Sequence, residues 1–258
     1  MCPTFAQARR ERGTINFPRM PEQTQREQVQ GVMGRMVDAM IRRSVRRAFR
    51  NVYWVPPTLP VPEPAIFVPN HHGWFDGYVM YLALSQLKLK GFHDWIQEYE
   101  AFPLFGKIGG MAFPANDSAA RAATIRRTVR AMNDDGRSLM LFAEGVLHRP
   151  PELLPFGKSL EFMAKQVPKA AIIPVAIRYE HAIHERPEAY LQFGAPLEPG
   201  PDLGRRTRLA VKSLLDRIAI DLVREPERFQ VLHAGTPDVN ERMDMRALTR
   251  HFRKPGKS

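Results

Sequence analysis

The residues best suited to acid–base chemistry are two adjacent histidines, His71 and His72, with Asp76 five and four residues further on. A neutral imidazole titrates near physiological pH and is a natural general base, and a nearby carboxylate can fix its tautomer. If His71 lies in a loop and Asp76 in the first helical turn, the carboxylate can fold back onto that ring. His72 and Asp76 would instead be neighbours on one helical face. An aspartate here could also serve only as a helix cap.

A metal site is the alternative chemistry for the same segment. A metal would need a third ligand besides the histidine and aspartate side chains of this segment. The candidates are His93, Glu144 and His148. Cys2 is the only cysteine, which excludes an intramolecular disulfide and any site built from several cysteines. We expect the segment to work without a metal.

Three other segments combine apolar runs with residues that suit a binding loop. A strand-like run over 139–143 ends in Glu144-Gly145, where the glycine would allow a ligand to approach the backbone. Glycines precede a short apolar stretch at 109–113. The apolar run 172–177 contains Pro174, which predicts an edge strand or a bulge.

These segments belong to a regular alternation of short apolar strands and amphipathic helices. Strands are predicted at 65–69, 112–114, 138–143, 171–178 and 190–193. Helices are predicted at 77–86, 119–134, 158–166 and 205–223. The alternation predicts an α/β fold whose central, mostly parallel sheet is flanked by helices. The histidine–aspartate segment then lies at the exit of a strand, where such sheets present their active sites.

An amphipathic segment precedes this α/β pattern. Residues 22–51 contain no proline, and apolar residues recur there at three- and four-residue steps, which predicts a helix. Arginines cover the rest of its second half, so the helix either packs on the core with a solvated basic face or lies in a lipid interface. Tyr53 and Trp54, just beyond, fit a lipid interface or a core equally well.

Charge is concentrated at the same end of the chain. The 258 residues carry a formal charge of +11, and the first 60 hold eleven arginines against four acidic residues. An anionic partner is therefore expected, and the amphipathic pattern favours a membrane surface over a metabolite or nucleic acid. The chain lacks zinc-finger spacing and the aromatic–basic interleaving of RNA-binding proteins. We also expect no secretory signal, and no apolar run of the sequence is long enough to span a bilayer.

We accordingly predict three regions. Residues 1–55 form a basic amphipathic helical segment at the membrane surface, 56–230 an α/β catalytic domain, and 231–258 a basic tail. The predicted location is peripheral, on the cytoplasmic face of the cell membrane.

The order of the motifs resembles the glycerolipid acyltransferases of the 1-acylglycerol-3-phosphate acyltransferase (PlsC-like) family. That family carries His-x-x-x-x-Asp, which His71 and Asp76 match. Its later motifs are Gly-x-x-Phe-x-x-Arg, Phe-Pro-Glu-Gly-Thr-Arg, a Phe-Lys-Lys-Gly-like stretch and an apolar Ile-Val-Pro-Val. Their counterparts follow in the same order at 110–113, 142–145, 156–159 and 173–175.

The resemblance implies an α/β acyltransferase in which His71 takes the proton of an acceptor hydroxyl and Asp76 orients and stabilises the ring. The hydroxyl then attacks the thioester of acyl-CoA or acyl carrier protein directly, with no acyl-enzyme and no cofactor. The default acceptor is a lysophospholipid such as 1-acylglycerol-3-phosphate. The substrate-binding positions implied are Asn70, His72, Gly110, Phe113, Asn116, Glu144, Gly145, His148, Arg149 and Lys158.

Two departures from the family pattern concern the acceptor. Asn116 and Leu147 stand where the family has arginines that are associated with the acceptor phosphate. Neither residue replaces the fixed charge and forked donors of arginine, and one lost charge-assisted contact costs about 1.5–3 kcal/mol. Relocated charge could come from Lys107, His148, Arg149 or Lys158. The alternatives are a lipid alcohol or glycolipid without phosphate and, in another class, a non-catalytic basic protein that binds membranes or nucleic acid.

Overall fold

The computed structural model describes residues 29, 31–57, 60–181 and 183–243. The strands are β1 (Asn51–Val55), β2 (Ala65–Pro69), β3 (Phe92–Ile96), β4 (Gly110–Ala112), β5 (Ser138–Met140), β6 (Ala171–Glu180), β7 (Glu188–Phe193) and β8 (Gln230–Ala234). The helices are α1 (Gly31–Ala48), α2 (Asp76–Leu84), α3 (Ser118–Asp135), α4 (Lys158–Gln166), α5 (Leu203–Arg224) and the short α6 (Val239–Arg242).

The eight described strands form one mixed sheet in the order β4-β3-β5-β2-β6-β7-β1-β8. Pairings are parallel except between β6 and β7 and between β1 and β8. The predicted α/β fold with a mostly parallel sheet is therefore confirmed. Because β2 and β5 are parallel neighbours, their carboxyl ends meet at one edge, and the loops that follow them lie side by side.

Strand β2 explains why the sheet has two buried faces. All five of its residues are buried, and they alternate between two hydrophobic clusters. Ala65 and Phe67 pack with α1 and α2, whereas Ile66 and Val68 pack with α3 and α4. Period-two alternation is the geometry of a strand, and burial of one such Phe or Ile side chain contributes roughly 1.5–3 kcal/mol.

Helix α1 packs on the core through one side. Its buried residues are Gly34, Val37, Ile41 and Val45, and the last three belong to the same cluster as Phe67 of β2. The predicted packing of this segment on the core is thus observed for one side of the helix over Gly31–Ala48. Residues 22–28 of the predicted helix lie outside the described part of the chain.

The aromatic residues after α1 also belong to the protein interior. Tyr53 and Trp54 lie on β1, a strand that the sequence pattern did not predict. The Tyr53 ring stacks on Tyr190 at a centroid distance of 5.1 Å, and Trp54 meets Phe193 edge-on at 6.2 Å. Of the two interpretations of these residues, core packing is the one observed.

Pro174 lies in an interior strand and not at an edge or bulge as predicted. Strand β6 runs between β2 and β7, and Pro174 pairs with Val68 in regular register. The Pro174 carbonyl accepts a hydrogen bond of 2.8 Å from Gly194 N, just past the end of β7. At that end of the ladder the missing proline N–H removes a single hydrogen bond, so the interior position is tolerated.

The sheet crosses both predicted region boundaries. Strand β1 ends at Val55 and pairs with β7, and β8, starting at Gln230, pairs with β1. Within the residues described, every helix is too short or too polar to cross a bilayer.

Candidate active site

His71 and Asp76 meet at the carboxyl end of β2. His71 is the second residue after this strand, and Asp76 is the first residue of α2. His71 Nδ1 lies 3.0 Å from Asp76 Oδ2. Since a carboxylate only accepts, Nδ1 carries the proton, and the lone pair is left on Nε2. The Asp76 side chain is fully buried, whereas that of His71 is 24% exposed and reachable by a substrate.

Two further donors hold the Asp76 carboxylate. Gly73 N donates to Oδ2 at 2.8 Å, and the Tyr179 hydroxyl donates to Oδ1 at 2.5 Å. A Cβ on residue 73 would lie 2.4 Å from Tyr179 Cε2, so the contact depends on a glycine. Burial, followed by the charge of Asp76, raises the pKa of Tyr179 well above its usual value, which keeps the hydroxyl protonated as a donor.

Tyr179 is a functional residue that the sequence did not reveal. The predicted strand 171–178 ended one residue before it, and 103 residues separate it from Asp76. Its ring stacks on Phe49 at 5.6 Å, and Phe49 also meets Phe75 edge-on at 5.1 Å. Phe49, the residue after α1, is therefore in contact with Tyr179 and with Phe75, the residue before Asp76.

Glu144 ties the loop after β2 to the loop after β5. Its fully buried carboxylate accepts from His71 N through Oε1 at 2.7 Å and from Leu154 N through Oε2 at 2.7 Å. His148 Nε2 lies 2.5 Å from the same Oε2. A buried carboxylate needs such partners, and here they position the backbone of the base.

His72 has a different environment from His71. Its Nε2 lies 3.2 Å from the Glu152 carbonyl and its Nδ1 lies 3.3 Å from Asn70 Nδ2. Burial lowers the pKa of His72, partly opposed by the charge of Glu144, which favours the neutral ring. The geometry favours His71 as the base because, of the two histidines, only His71 pairs with Asp76 among the described hydrogen bonds.

Asn70 anchors the loop rather than facing a substrate. The residue is fully buried, its Oδ1 accepts from Ile177 N at 2.8 Å, and its Nδ2 donates to Ile177 O at 3.0 Å. The side chain thus continues the pairing of β2 with β6 by one residue. The structure thus gives Asn70 an anchoring contact inside the protein, and its predicted contact with a substrate stays a prediction.

Three further predicted binding residues, Gly145, Gly110 and Phe113, lie in the loop after β5 and in or just after β4. Gly145, with φ of +75°, follows Glu144 and accepts from Gln97 Nε2 at 3.0 Å. Gly110, the first residue of β4, packs against Phe105. The Phe113 ring stacks on the Trp95 ring at a centroid distance of 4.4 Å.

The polar candidates Asn116, Arg149 and Lys158 are exposed. In the described residues, no hydrogen bond or ion pair joins their side chains to His71 or Asp76.

Large apolar side chains are exposed on both loops of the site. Trp74, between Gly73 and Phe75, is 66% exposed. Val146 and Leu147, directly after Glu144-Gly145, are 53% and 47% exposed. The position where the resembled family has an arginine therefore presents an apolar surface, which suits an apolar ligand better than a phosphate.

Replacement of Tyr179 with phenylalanine is expected to lower kcat about tenfold, equivalent to about 1.4 kcal/mol, with KM little changed. The hydroxyl acts through Asp76 and not on the substrate, so binding is preserved. Steady-state kinetics test this. Tyr190→Phe is a matched control, since Tyr190 also donates to a buried carboxylate, that of Glu188 at 2.7 Å. Equal losses of kcat in the two variants would contradict the positioning role of Tyr179.

Comparison with known proteins assigns the fold and the family. The structure is similar to the crystal structure of the 1-acyl-sn-glycerophosphate (LPA) acyltransferase PlsC from Thermotoga maritima. The TM-score is 0.51 at 17% identity, over 72% of this chain and 79% of that chain. No curated protein sequence matches the chain. The Acyltransferase family model matches residues 55–178, which include His71, Asp76 and Glu144. Residues 55–178 therefore form a domain of the acyltransferase family, and this match supports an acyltransferase enzyme.

Proposed function

We propose that the protein moves a fatty acyl group from acyl-CoA or acyl carrier protein to a hydroxyl of a lysophospholipid such as 1-acylglycerol-3-phosphate. The observation that carries the proposal is the pairing of His71 Nδ1 with the buried Asp76 at 3.0 Å, which leaves Nε2 as a base on a partly exposed ring. An acyl thioester as donor and a lipid hydroxyl as acceptor suit this single base.

The proposed reaction has two proton transfers. His71 Nε2 takes the proton of the acceptor hydroxyl as its oxygen attacks the thioester carbonyl. The tetrahedral intermediate then collapses and breaks the carbon–sulfur bond. The thiolate receives the same proton from the His71 imidazolium, so the products are one ester and one thiol. Asp76 stabilises the imidazolium between the two transfers, because an opposite charge within hydrogen-bond distance favours the charged ring.

A neutral lipid alcohol is a second candidate acceptor, favoured by a specific observation. Leu147 and Val146 are exposed where the family has its phosphate-associated arginine, and the exposed Asn116 replaces the other. We expect kcat/KM for lysophosphatidate and for monoacylglycerol, measured with one acyl donor, to differ by less than a hundredfold, about 2.7 kcal/mol. A preference for lysophosphatidate larger than about a hundredfold would overturn the proposal of a neutral acceptor.

A substitution of Arg149 tests whether this residue recognises the acceptor phosphate in place of the family's arginine, or whether phosphate recognition is absent. If Arg149 supplies the missing charge, Arg149→Ala raises the KM for lysophosphatidate strongly. If the acceptor is neutral, Arg149→Ala leaves the KM for monoacylglycerol unchanged. Arg224→Ala, at the exposed last residue of α5, is a control for loss of surface charge.

We propose also that α1 contributes to peripheral binding at the cytoplasmic face of the membrane. Its core-facing side is buried, but Val32, Met33 and Met36 are exposed. Exposed arginines lie on the same helix. Apolar side chains beside cations suit an anionic bilayer surface.

Replacement of Arg43, Arg46 and Arg47 with glutamine is expected to weaken co-sedimentation with anionic vesicles by about 1 kcal/mol per arginine at low salt. Arg42 is left in place because it pairs with Asp38 at 2.9 Å. The control is glutamine at three exposed arginines of α3, which packs on the other face of the sheet: Arg126, Arg127 and Arg130. Equal weakening in both triple variants would contradict a specific role of α1.

A further inference from the structure

Three side chains that could bind a metal come together beside the histidine–aspartate pair. One candidate ligand atom each from His72, Glu144 and His148 lies within 4.8 Å of the other two. His72 comes from the loop after β2, and the other two residues come from the loop after β5. Two other histidines do not belong to this cluster. His71 Nδ1 pairs with Asp76, and His93 Nδ1 lies 3.2 Å from Gly109 O.

The three groups form a recognisable ligand set. Two imidazoles and one carboxylate leave a fourth position open in a tetrahedral site, the arrangement in which proteins hold Zn²⁺ with a water or substrate. Imidazole ligands favour zinc, nickel and copper, whereas magnesium and calcium favour oxygen ligands. The chemistry of the cluster therefore selects a borderline transition-metal cation.

The surroundings of the histidines match those of metal ligands. His72 Nε2 lies 3.2 Å from the Glu152 carbonyl, and His148 Nδ1 lies 3.2 Å from the Arg149 carbonyl. A metal-binding histidine commonly donates its second ring N–H to such a carbonyl, which fixes the tautomer. Donation here leaves a lone pair on Nδ1 of His72. On His148 it would leave a lone pair on Nε2 once a cation displaces the proton that this nitrogen donates to Glu144 Oε2.

The carboxylate is also held in place by its neighbours. Glu144 is fully buried and accepts from His71 N and Leu154 N at 2.7 Å each, so its position does not depend on a cation. A bound metal would replace the 2.5 Å contact of His148 Nε2 with Glu144 Oε2 and the 3.3 Å contact of His72 Nδ1 with Asn70.

We propose that His72, Glu144 and His148 bind a divalent transition-metal cation of the Zn²⁺ type. This differs from the sequence expectation of no metal, which considered His72 together with His71 and Asp76. The ligand set contains neither His71 nor Asp76, although Glu144 also accepts from His71 N, and the proposal does not depend on the proposed acyl transfer. His148 lies directly after Leu147, so the cation would bring positive charge to the loop that lacks the family's arginine.

The proposal is tested by metal binding to the full-length protein after chelator treatment. Isothermal titration with Zn²⁺ is expected to show one site that His72→Gln and His148→Gln each weaken by more than the roughly 10–100-fold typical of an outer-shell partner. With Co²⁺, the unmodified protein is expected to give the visible absorption of a four- or five-coordinate ion. His184→Gln is the matched control, since His184 also contacts a carboxylate, Asp238, at 2.7 Å.

The histidine variants are preferred to Glu144→Gln because loss of a buried carboxylate with several donors endangers the fold. Circular dichroism and thermal unfolding in chelator confirm that each variant is folded. Absence of a stoichiometric site would overturn the proposal, as would Zn²⁺ affinity unchanged in both His72→Gln and His148→Gln. Because the readout is binding, it is independent of whether the proposed acyl transfer is observed.

Discussion

Replacement of His71 with alanine is expected to lower kcat for acyl transfer by about 10²–10⁴, the usual contribution of a general base. Within the described hydrogen bonds, His71 is the only imidazole paired with Asp76, and its Nε2 is the nitrogen left to accept a proton. The side chain is partly exposed and its ring stacks on Phe142 at 4.3 Å, so the substitution empties little of the core.

Thioester turnover, followed with a thiol reagent, measures this loss, and far-UV circular dichroism establishes that the variant is folded. His72→Ala is the matched control because it removes the neighbouring imidazole and retains the Asp76 pair. Near-normal turnover in His71→Ala together with loss in His72→Ala would assign the base to the other histidine.

Replacement of Asp76 with asparagine is expected to lower kcat by a similarly large factor, up to about 10⁴ by the precedent of histidine-orienting aspartates. If the amide nitrogen faces His71, it favours the wrong tautomer of the ring. If the amide oxygen faces His71, the tautomer is kept but the imidazolium loses its counter-charge. Both orientations weaken the base.

Asp38→Asn is a matched control for this variant. Asp38 accepts from the Tyr81 hydroxyl at 2.9 Å, as Asp76 does from that of Tyr179, but it joins α1 to α2 and is not in contact with the histidines. Asp38→Asn is expected to lower the thermal midpoint and leave kcat nearly unchanged. Full activity of Asp76→Asn would exclude the histidine–aspartate pair from the mechanism.

The parts of the fold that follow a simple hydrophobic pattern could be predicted from the sequence. Strand β2 and helix α4 begin and end at the predicted residues, since β2 is apolar throughout and α4 has a clear amphipathic period. Strand β3 escaped prediction because His93 and Asp94 interrupt its apolar character. Strand β1 was missed because the helical pattern of the preceding segment continues into it.

For the site, the sequence could predict contacts between residues close in the chain but not contacts made by distant segments. His71 and Asp76 lie within one short segment, so their spacing alone suggested the pair. Tyr179 reaches Asp76 from a distant segment, and Phe49 packs on the Tyr179 ring. Only the pairing of β6 with β2 and the packing of α1 bring these residues there. Asn70 looked like a binding residue because it precedes the histidines, but the register of β6 buries it against Ile177.

The most direct test of the account is product analysis of one reaction. The purified protein is incubated with a labelled acyl-CoA and a lysophosphatidate or monoacylglycerol acceptor, and ester, free fatty acid and thiol are quantified together. The account predicts one new lipid ester for each thiol released, with no acyl-enzyme detected by intact mass. Thiol release accompanied by free fatty acid and no ester would contradict acyl transfer to a lipid hydroxyl.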